Sequence, residues 1–282
     1  LINGVGMTNL CVETKLMAHL PLLLHRNPSS MLVVCFGMGT AVRSAVSHPL
    51  SRIDTVELVP QAYEFFPYYH ADAAAIAADP RVRFFVDDGR NFLLVRPDTY
   101  DVISLDPAPP VWSAGTVNLY TREFFALCRD RLNRDGVMCC WLPPAELSEL
   151  SRILRAFLDV FPATNIWEGP EYKGLYVIGF KSGEAVRAGR FRDDAVAPSI
   201  RADLREWGVV HSVRELADLY VAGPEELAVL FRGTPAVTDD MPYTEFPLWR
   251  TYFDPEFRYV LTGPLLARLC AAAAHAAGSA GR

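Results

Sequence analysis

The most constraining feature of the sequence is a wholly apolar run, Met31–Phe36, that leads directly into Gly37-Met38-Gly39 and a new helical segment. A strand that is apolar on both faces is typical of a parallel sheet with helices on both sides. Glycines in the turn allow the backbone to approach a ligand closely. The stretch therefore predicts a parallel α/β sheet with a binding turn after its first strand.

Strands and helices alternate from the N-terminal part of the chain to about residue 180. The predicted strands are Met31–Phe36, Thr55–Leu58, Val82–Val86, Tyr100–Leu105, Gly136–Leu142, Thr164–Trp167 and Gly174–Phe180. The predicted helices are Glu13–His25, Thr40–Ser47, Ala62–Ala78, Asn91–Val95, Arg122–Leu132 and Ser148–Phe161. This alternation predicts an α/β fold with a mostly parallel, doubly wound sheet.

We divide the chain into four segments. Residues 1–30 form an N-terminal strand remnant and helix, and residues 31–182 form the sheet domain. Residues 183–263 are a C-terminal helical segment that closes the same domain, and residues 264–282 are an alanine-rich tail. Within the last two segments, Ser182–Ser199 is irregular and helices are predicted over Val213–Tyr220, Pro224–Phe231 and Leu265–Arg282.

Composition and charge exclude several classes of partner. The net charge of −6 and the lack of a dense Lys/Arg run argue against nucleic acid, because phosphate contacts need clustered cations. No apolar stretch reaches the roughly 18 residues of a membrane span. The histidines do not share metal-ligand spacing, so no metal is predicted. The six cysteines form no C-x-x-C pair, and we interpret them as reduced thiols of a cytoplasmic protein.

Acids and glycines stand at the carboxyl ends of the first four predicted strands. They are Gly37 and Gly39, then Glu57, then Asp87-Asp88-Gly89, and finally Asp106. Ligands of an open parallel sheet bind at these ends. An acid that ends the second strand can accept both hydroxyls of a ribose, and an acid after the third can accept the amine of an adenine. The series predicts a nucleoside cleft.

A dinucleotide site is the nearest rival to a nucleoside cleft. The dinucleotide fingerprint carries a third glycine, G-x-G-x-x-G. Here Val42 stands at the third glycine position. The acids after the third and fourth strands are also not needed for a pyrophosphate. The sequence therefore favours a nucleoside over NAD.

Several segments of the chain, taken together and in their order, resemble those of the spermidine synthases, or polyamine aminopropyltransferases. The resemblance is closest to the spermidine synthase-like domains fused to membrane transporters. The segments that carry it read NGVGMT, AHLPLLLH, VVCFGMGTAVRS, VELVP, DDGRNFL, YDVISLDPAPP, NLYTREFF, LNRDGVMCCWLP and TDDMPYTEF. Each piece alone is weak, and their combination and order are specific.

The resemblance implies a methyltransferase-type Rossmann fold, here with only a vestigial N-terminal β segment. It implies transfer of an aminopropyl group from decarboxylated S-adenosylmethionine to an amine, and a possible homodimer. In this sequence Glu57 would hold the ribose, and Asp88 with Gly89 the adenine. The loop with Gly37 and Gly39 would hold the thioether region, and Asp106 would receive the proton of the amine.

Departures from the family pattern point to a more apolar pocket. Met38 stands where the family's glycine loop carries an acid, and Pro109 stands where a second acid follows Asp106. The family carries an acid–tyrosine pattern before the first helix. This sequence reads NLCVETK there, so Glu13 is at most the one acid that remains. Burying a diamine dication without paired carboxylates costs several kcal/mol per charge. We place Met38, Pro109, Trp112, Tyr120 and His70 in the substrate pocket, and Trp141 is open to interpretation as pocket or core.

Alternatives to polyamine synthesis therefore stay open. A methyltransferase would bind intact S-adenosylmethionine, with Arg43 as the cation for its carboxylate. A cofactor-independent cyclase would use a neutral Asp106 as proton donor to an isoprenoid-like substrate. Aromatic side chains would then stabilise a developing cation, and the candidates are Trp112, Tyr120, Phe65 and Phe66. A non-enzymatic binding or scaffold domain is the remaining alternative.

Overall fold

A computed structural model describes residues 12–107, 111–113, 116–170, 173–185, 191–245 and 260–280, with side chains in the last helix described to residue 276. The strands within these residues are β1 Ser30–Val34, β2 Arg52–Glu57, β3 Val82–Val86, β4 Tyr100–Leu105, β5 Leu132–Leu142, β6 Thr164–Glu168, β7 Leu175–Phe180 and β8 Tyr220–Ala222. The α-helices within them are α1 Val12–Leu24, α2 Thr40–Val46, α3 Gln61–Glu64, α4 Phe66–Tyr69, α5 Ala73–Ala77, α6 Gly89–Val95, α7 Arg122–Asp130, α8 Leu147–Val160, α9 Pro198–Arg205, α10 Pro224–Leu230 and α11 Gly263–Ala280. The predicted N-terminal strand remnant lies outside the described residues.

The strands form one sheet in the order β3-β2-β1-β4-β5-β7-β6-β8. The neighbours from β3 to β5 are parallel, whereas β7, β6 and β8 pair antiparallel. The chain leaves β1 toward β2 on one side and later returns to β4 on the other. A crevice therefore opens at the carboxyl ends of β1 and β4. The predicted mostly parallel, doubly wound sheet is confirmed.

Helices cover both faces of the sheet, which explains why β1 is buried along its whole length. Met31 and Val33 pack in a core with α1 and α2, while Leu32 and Val34 pack in the opposite core with α6, α7 and α8. Each large apolar side chain buried in this way contributes about 1.5–3 kcal/mol of stabilisation. The continuous apolar run is therefore what a central parallel strand requires.

The segment Ala62–Ala78, predicted to be largely helical, is helical over most of its length, but the structure divides it into α3, α4 and α5. Pro67 lies in the first turn of α4, where its missing N–H is tolerated, and it cannot continue α3. His70 then adopts an extended conformation (φ −132, ψ 118) that ends α4. The alanine-rich composition indicated helix correctly, but the proline set its breaks.

The C-terminal segment adds elements that the sequence analysis did not predict. α9 begins at Pro198, a favoured first helical position, in a region interpreted as irregular. β8 pairs with β6 at the edge of the sheet. The helices predicted over Pro224–Phe231 and Leu265–Arg282 are present as α10 and α11, and α11 packs against α10 and β8. None of the helices in the described part of the chain is long and apolar enough to cross a membrane.

Candidate active site

The loop after β1 is built from residues with positive φ. Gly37 (φ 57) and Gly39 (φ 82) are joined there by Cys35 (φ 70), a conformation that costs a non-glycine residue free energy. A Cβ on Gly39 would overlap the rings of Phe36 and Phe66, whereas nothing lies within 4 Å of a Cβ on Gly37. The loop is thus packed tightly at Gly39 and open at Gly37, where a ligand can approach the backbone.

Glu57 ends β2 and holds this loop through its carboxylate. Oε2 accepts hydrogen bonds from the backbone N–H of Phe36 (2.9 Å) and Gly37 (3.3 Å), and Oε1 accepts one from Val59 (3.1 Å). An ionised carboxylate can accept about four hydrogen bonds. Glu57 therefore pins the loop and retains a lone pair for a ligand hydroxyl.

The segment after β3 caps a helix and packs against β1. Asp88 is exposed, and its Oδ1 accepts the backbone N–H of Asn91 at 2.9 Å as the N-cap of α6. A Cβ on Gly89 would lie 2.5 Å from Cγ1 of Val34, so the position requires glycine. This close approach brings the Asp88 carboxylate beside the end of β1.

Asp106 follows β4, and its backbone N–H donates to the carbonyl of Val34 at 3.2 Å. Its side chain is half-buried. Burial raises the pKa of Asp106 to about 7, and no cation among the described residues offsets the desolvation. The carboxyl is therefore present in both protonation states near neutral pH.

Three of the predicted acids act on one thiol, Cys35. Burial raises the pKa of Cys35 well above its usual value, and the charges of Glu57, Asp106 and Asp88 raise it further. The acids at the ends of β2, β3 and β4 thus lie within electrostatic reach of the turn after β1. The sequence analysis did not single out Cys35, and no residue pattern announces its positive φ.

Tyr120 brings a polar atom toward the same place from the opposite core. It is fully buried, and its hydroxyl has no hydrogen-bond partner among the described residues. Burial raises the pKa of Tyr120, and the nearby Cys140, Asp106 and Cys35 raise it further. The Tyr120 hydroxyl therefore lies within electrostatic reach of Asp106 and Cys35.

The sequence matches the Spermine/spermidine synthase domain over residues 10–168, more than half of the chain. The chain belongs to the spermine/spermidine synthase family. The predicted spermidine synthase-like transferase is therefore confirmed at the level of the family.

Curated relatives within this family are similar to the chain over about two thirds of its length. The polyamine aminopropyltransferase of Bacillus subtilis (strain 168) is 32% identical over 195 residues, which is 64% of this chain and 69% of the relative. That of Bacillus mycoides (strain KBAB4) is 30% identical over 206 residues, 68% of this chain and 73% of the relative.

Solved spermidine synthase structures share the fold. A spermidine synthase in complex with the transition state analogue AdoDATO has a TM-score of 0.61 at 21% identity, covering 77% of this chain and 74% of its own. The Thermotoga maritima spermidine synthase has a TM-score of 0.60 at 22% identity, covering 77% and 73%. These likenesses confirm the predicted methyltransferase-type Rossmann fold.

The remaining residues predicted to line the substrate pocket differ in their burial and in their contacts. Met38 is buried in the glycine loop and Trp112 is 42% exposed. His70 is buried, with its Nε2 at 3.0 Å from Oγ1 of Thr40, and burial lowers its pKa. The structure thus pairs His70 with α2 rather than with the acids around Cys35. Pro109 lies outside the described residues.

Arg43, the cation considered for a carboxylate ligand, is engaged elsewhere. Its Nε lies 2.8 Å from Oδ2 of Asp72, and its Nη1 lies 3.1 Å from Asp203 and 2.6 Å from Glu206. Its charge contributes nothing to the raised pKa of Asp106, whose only cause is burial. Arg43 is therefore not a free guanidinium that could bind a ligand carboxylate.

Proposed function

We propose that the chain is an aminopropyltransferase that binds decarboxylated S-adenosylmethionine at the loop after β1 and uses Asp106 as its proton acceptor. The observation that carries the proposal is the half-buried Asp106 carboxyl, whose pKa of about 7 has burial as its only cause. It stands beside a turn on which the acids of three strand ends converge. The family membership supports the reaction class.

The residues around the turn fit an adenosyl group. Gly37 leaves open space where a side chain would stand, so a thioether region can lie against its backbone. Glu57 keeps a lone pair for the ribose, and the exposed Asp88 offers its second oxygen to the adenine amine. When bound, decarboxylated S-adenosylmethionine supplies an aminopropyl carbon on a sulfonium sulfur that leaves as a neutral thioether.

Asp106 provides the proton chemistry. A carboxyl with a pKa of about 7 is ionised in a large fraction of molecules at neutral pH and is a stronger base than an ordinary aspartate. It accepts the proton that an attacking amine must lose. General base assistance of this kind contributes about 10²–10⁴-fold in rate.

Calorimetry and turnover together test the proposal. The wild-type chain is expected to bind 5′-methylthioadenosine and to transfer aminopropyl groups from decarboxylated S-adenosylmethionine to a diamine. Asp106→Asn should retain the nucleoside and lose about 10²–10⁴-fold in kcat. The exposed Asp135→Asn serves as a matched control with unchanged turnover. Absence of both binding heat and transfer in the wild type would overturn the proposal.

A second candidate rests on the same carboxyl in its protonated form. Met38 is buried in the loop, and no cation in the described part of the chain offsets the desolvation of Asp106, so a neutral Asp106 could donate a proton to an apolar substrate. This would be an acid-catalysed cyclisation of an isoprenoid-type molecule, without any nucleoside. Turnover of a linear isoprenoid that disappears in Asp106→Asn, in a chain that does not bind 5′-methylthioadenosine, would favour this candidate. The methyltransferase alternative gains no support, because Arg43 is already paired with three carboxylates.

A further inference from the structure

A cavity of about 490 Å³ lies between α8 and the segment that follows α10. Its described lining residues belong to α8, α10, the segment 231–243 and α11. None of them belongs to the strand ends that carry Glu57, Asp88 and Asp106. The volume lies within the range of small-molecule sites, about 300–1,000 Å³. The cavity is therefore separate from the proposed active site and large enough for a ligand.

Hydrogen bonds from two helices hold the wall of this cavity in place. Nη1 of Arg155 on α8 donates to the carbonyl of Phe231 at 3.3 Å. The backbone N–H of the buried Val237 donates to the carbonyl of Arg152 at 3.3 Å, and the N–H of Arg122 on α7 donates to the carbonyl of Val237 at 3.0 Å. The segment after α10 is thus attached to α7 and α8 by the protein's own contacts.

Arg152 is the one charged side chain among the described residues that line the cavity. Its guanidinium lies over the ring of Tyr243, 3.8 Å from the ring centroid. Within the described part of the chain no carboxylate pairs with it, whereas Arg155 on the same helix pairs with Asp159 at 2.5 Å. A contact with an aromatic ring uses none of the guanidinium N–H donors. These donors are therefore available to a carboxylate, which they can bind with two parallel hydrogen bonds.

The first turn of α8 adds a second polar group to the same wall. Ser148 lines the cavity one helical turn before Arg152, is 7% exposed, and its hydroxyl has no hydrogen-bond partner among the described residues. Glu146 at the N-cap forms no side-chain cap, so the first N–H groups of α8, at Leu147 and Ser148, gain no acceptor from it. The start of a helix favours negative charge. The acids Glu146 and Glu149 are not among the lining residues.

The rest of the described wall is mainly apolar. Its apolar side chains are those of Leu147, Leu230, Phe231, Pro235 and Leu269. Ligand sites usually combine such a lining with a few polar groups that fix the orientation of the ligand. The chemistry of the wall therefore suits a molecule with one anionic group and an apolar body.

We propose that this cavity binds a monocarboxylate with a short apolar chain. The carboxylate pairs with the Arg152 guanidinium and accepts a hydrogen bond from the Ser148 hydroxyl, and the chain packs against Leu230 and Phe231. The site goes beyond the proposed aminopropyl transfer and does not depend on it.

Isothermal calorimetry with three probes tests the ligand class. Hexanoate is expected to bind the wild-type chain with a Kd of about 1 mM or lower. 1-Hexanol has a similar chain without the charge, and inorganic phosphate has charge without the chain, so each should bind about tenfold more weakly or worse. Binding of 1-hexanol or phosphate as tight as that of hexanoate would overturn the carboxylate assignment. No heat from hexanoate at about 10 mM would overturn the site.

Two substitutions test the residues that bind the carboxylate. Arg152→Gln should lower the affinity for hexanoate about 10- to 100-fold, as for loss of hydrogen bonds from a charged group. The same substitution at the exposed Arg129, at the end of α7, is the matched control and should leave the affinity unchanged. Ser148→Ala should lower the affinity about 2- to 10-fold. Unchanged affinity in both Arg152→Gln and Ser148→Ala would overturn the site.

Thermal unfolding without hexanoate distinguishes ligand binding by Ser148 from a structural role. Because its hydroxyl has no partner among the described residues, Ser148→Ala should leave the Tm unchanged or raise it. A lowered Tm would show that the hydroxyl is already bonded and would overturn its assignment to the ligand. If Arg152→Gln fails to fold, Ser148→Ala decides, and unchanged affinity for hexanoate in that variant overturns the site.

A competition experiment distinguishes this cavity from the proposed active site. Saturating 5′-methylthioadenosine should leave the Kd of hexanoate unchanged, because the two sites share none of the described residues named for them. Direct competition would place hexanoate at the turn after β1 and overturn the site. A chain that does not bind 5′-methylthioadenosine but binds hexanoate through Arg152 would overturn the proposed function alone.

Discussion

Glu57 and Gly37 are joined across two strand ends: the Gly37 backbone N–H donates to Oε2 of Glu57 at 3.3 Å, and the same oxygen accepts the N–H of Phe36 at 2.9 Å. The carboxylate that the sequence assigns to a ribose is therefore also part of the loop that would hold the thioether. Binding and loop geometry are coupled in one side chain. Substitution of Glu57 must affect both.

Glu57→Gln should weaken 5′-methylthioadenosine binding and reduce stability together. The amide can present only one acceptor oxygen to three backbone donors, so at least one hydrogen bond to a charged acceptor is lost. We expect a loss of about 2 kcal/mol in the free energy of unfolding and about tenfold in affinity. Urea titration and calorimetry measure these quantities. Glu64→Gln, an exposed position on α3, should change neither, and intact affinity in Glu57→Gln would refute the coupling.

Substituting alanine for two glycines with the same backbone conformation distinguishes the cost of backbone strain from the cost of steric overlap. Gly39 and Gly183 have φ values of 82 and 81, but only Gly39 has the rings of Phe36 and Phe66 where a Cβ would be. Gly183→Ala should cost about 1–2 kcal/mol from the left-handed conformation alone. Gly39→Ala should cost about 1–3 kcal/mol more, because the loop is also overpacked. Equal losses in thermal unfolding would show that the packing of Gly39 is not important.

Two buried tyrosines should respond in opposite directions to loss of the hydroxyl. The Tyr100 hydroxyl donates to Oδ2 of Asp54 at 2.7 Å, whereas that of Tyr120 has no partner among the described residues. Tyr100→Phe should cost about 1.5–3 kcal/mol, and Tyr120→Phe should be neutral or stabilising. Chemical denaturation of both variants provides the comparison. A large loss in Tyr120→Phe would mean that its hydroxyl is bonded in the ligand-free protein.

Stability should fall as pH is lowered from neutral, because of a buried cluster between α1, α2 and α9. Nδ1 of His19 lies 2.9 Å from Nε2 of His48, and Nε2 of His19 lies 2.8 Å from Oδ2 of Asp203. Burial lowers the pKa of both histidines, and the charge of Asp203 acts in the opposite direction on both. Lys15 also lowers the pKa of His19, and His19 also lowers that of His48. The unfolded chain therefore binds protons below about pH 6.5 that the folded chain does not, and its stability decreases there.

Asp203 extends this loss to lower pH. The pKa of Asp203 lies far below its usual value because His19, Ser44 and Lys15 stabilise its ionised form against the cost of burial. Its contribution is present above the unfolded pKa of about 4 and is lost as the pH falls toward the folded value.

Urea unfolding between about pH 8 and pH 5 tests the contribution of the two histidines. The free energy of unfolding should decline over this range, and His48→Asn should flatten the decline. A pH-independent free energy in that range would contradict the assignment.

The sequence predicted the sheet and the positions of the acids because both depend on local patterns. A buried parallel strand such as β1 needs a continuous apolar run, and Met31–Phe36 supplies it. The carboxyl ends of parallel strands meet at one edge, so Glu57, Asp88 and Asp106 were expected together before their surroundings were known. These inferences required only periodicity and chain direction.

What the sequence did not reveal depends on long-range contacts. Lys15 is fully buried because it bonds to Asp203 and Glu206, which follow it by 188 and 191 residues, and no local pattern encodes that pairing. The positive φ of Cys35 likewise follows from how the loop is held between two strands. The sequence indicates Glu13 only as a remaining acid, whereas its burial, with no hydrogen-bond donor among the described residues, follows from the packing of α1 on β5 and β7.

The pH dependence of aminopropyl transfer tests the central claim about Asp106 most directly. We predict that kcat/KM of the wild type falls about tenfold per unit below about pH 7, where the Asp106 carboxyl becomes protonated. Asp106→Asn should lose about 10²–10⁴-fold and show no inflection there. An Asp106→Asn variant that keeps wild-type turnover, or a wild-type profile that is flat between about pH 6 and pH 8, would contradict the account.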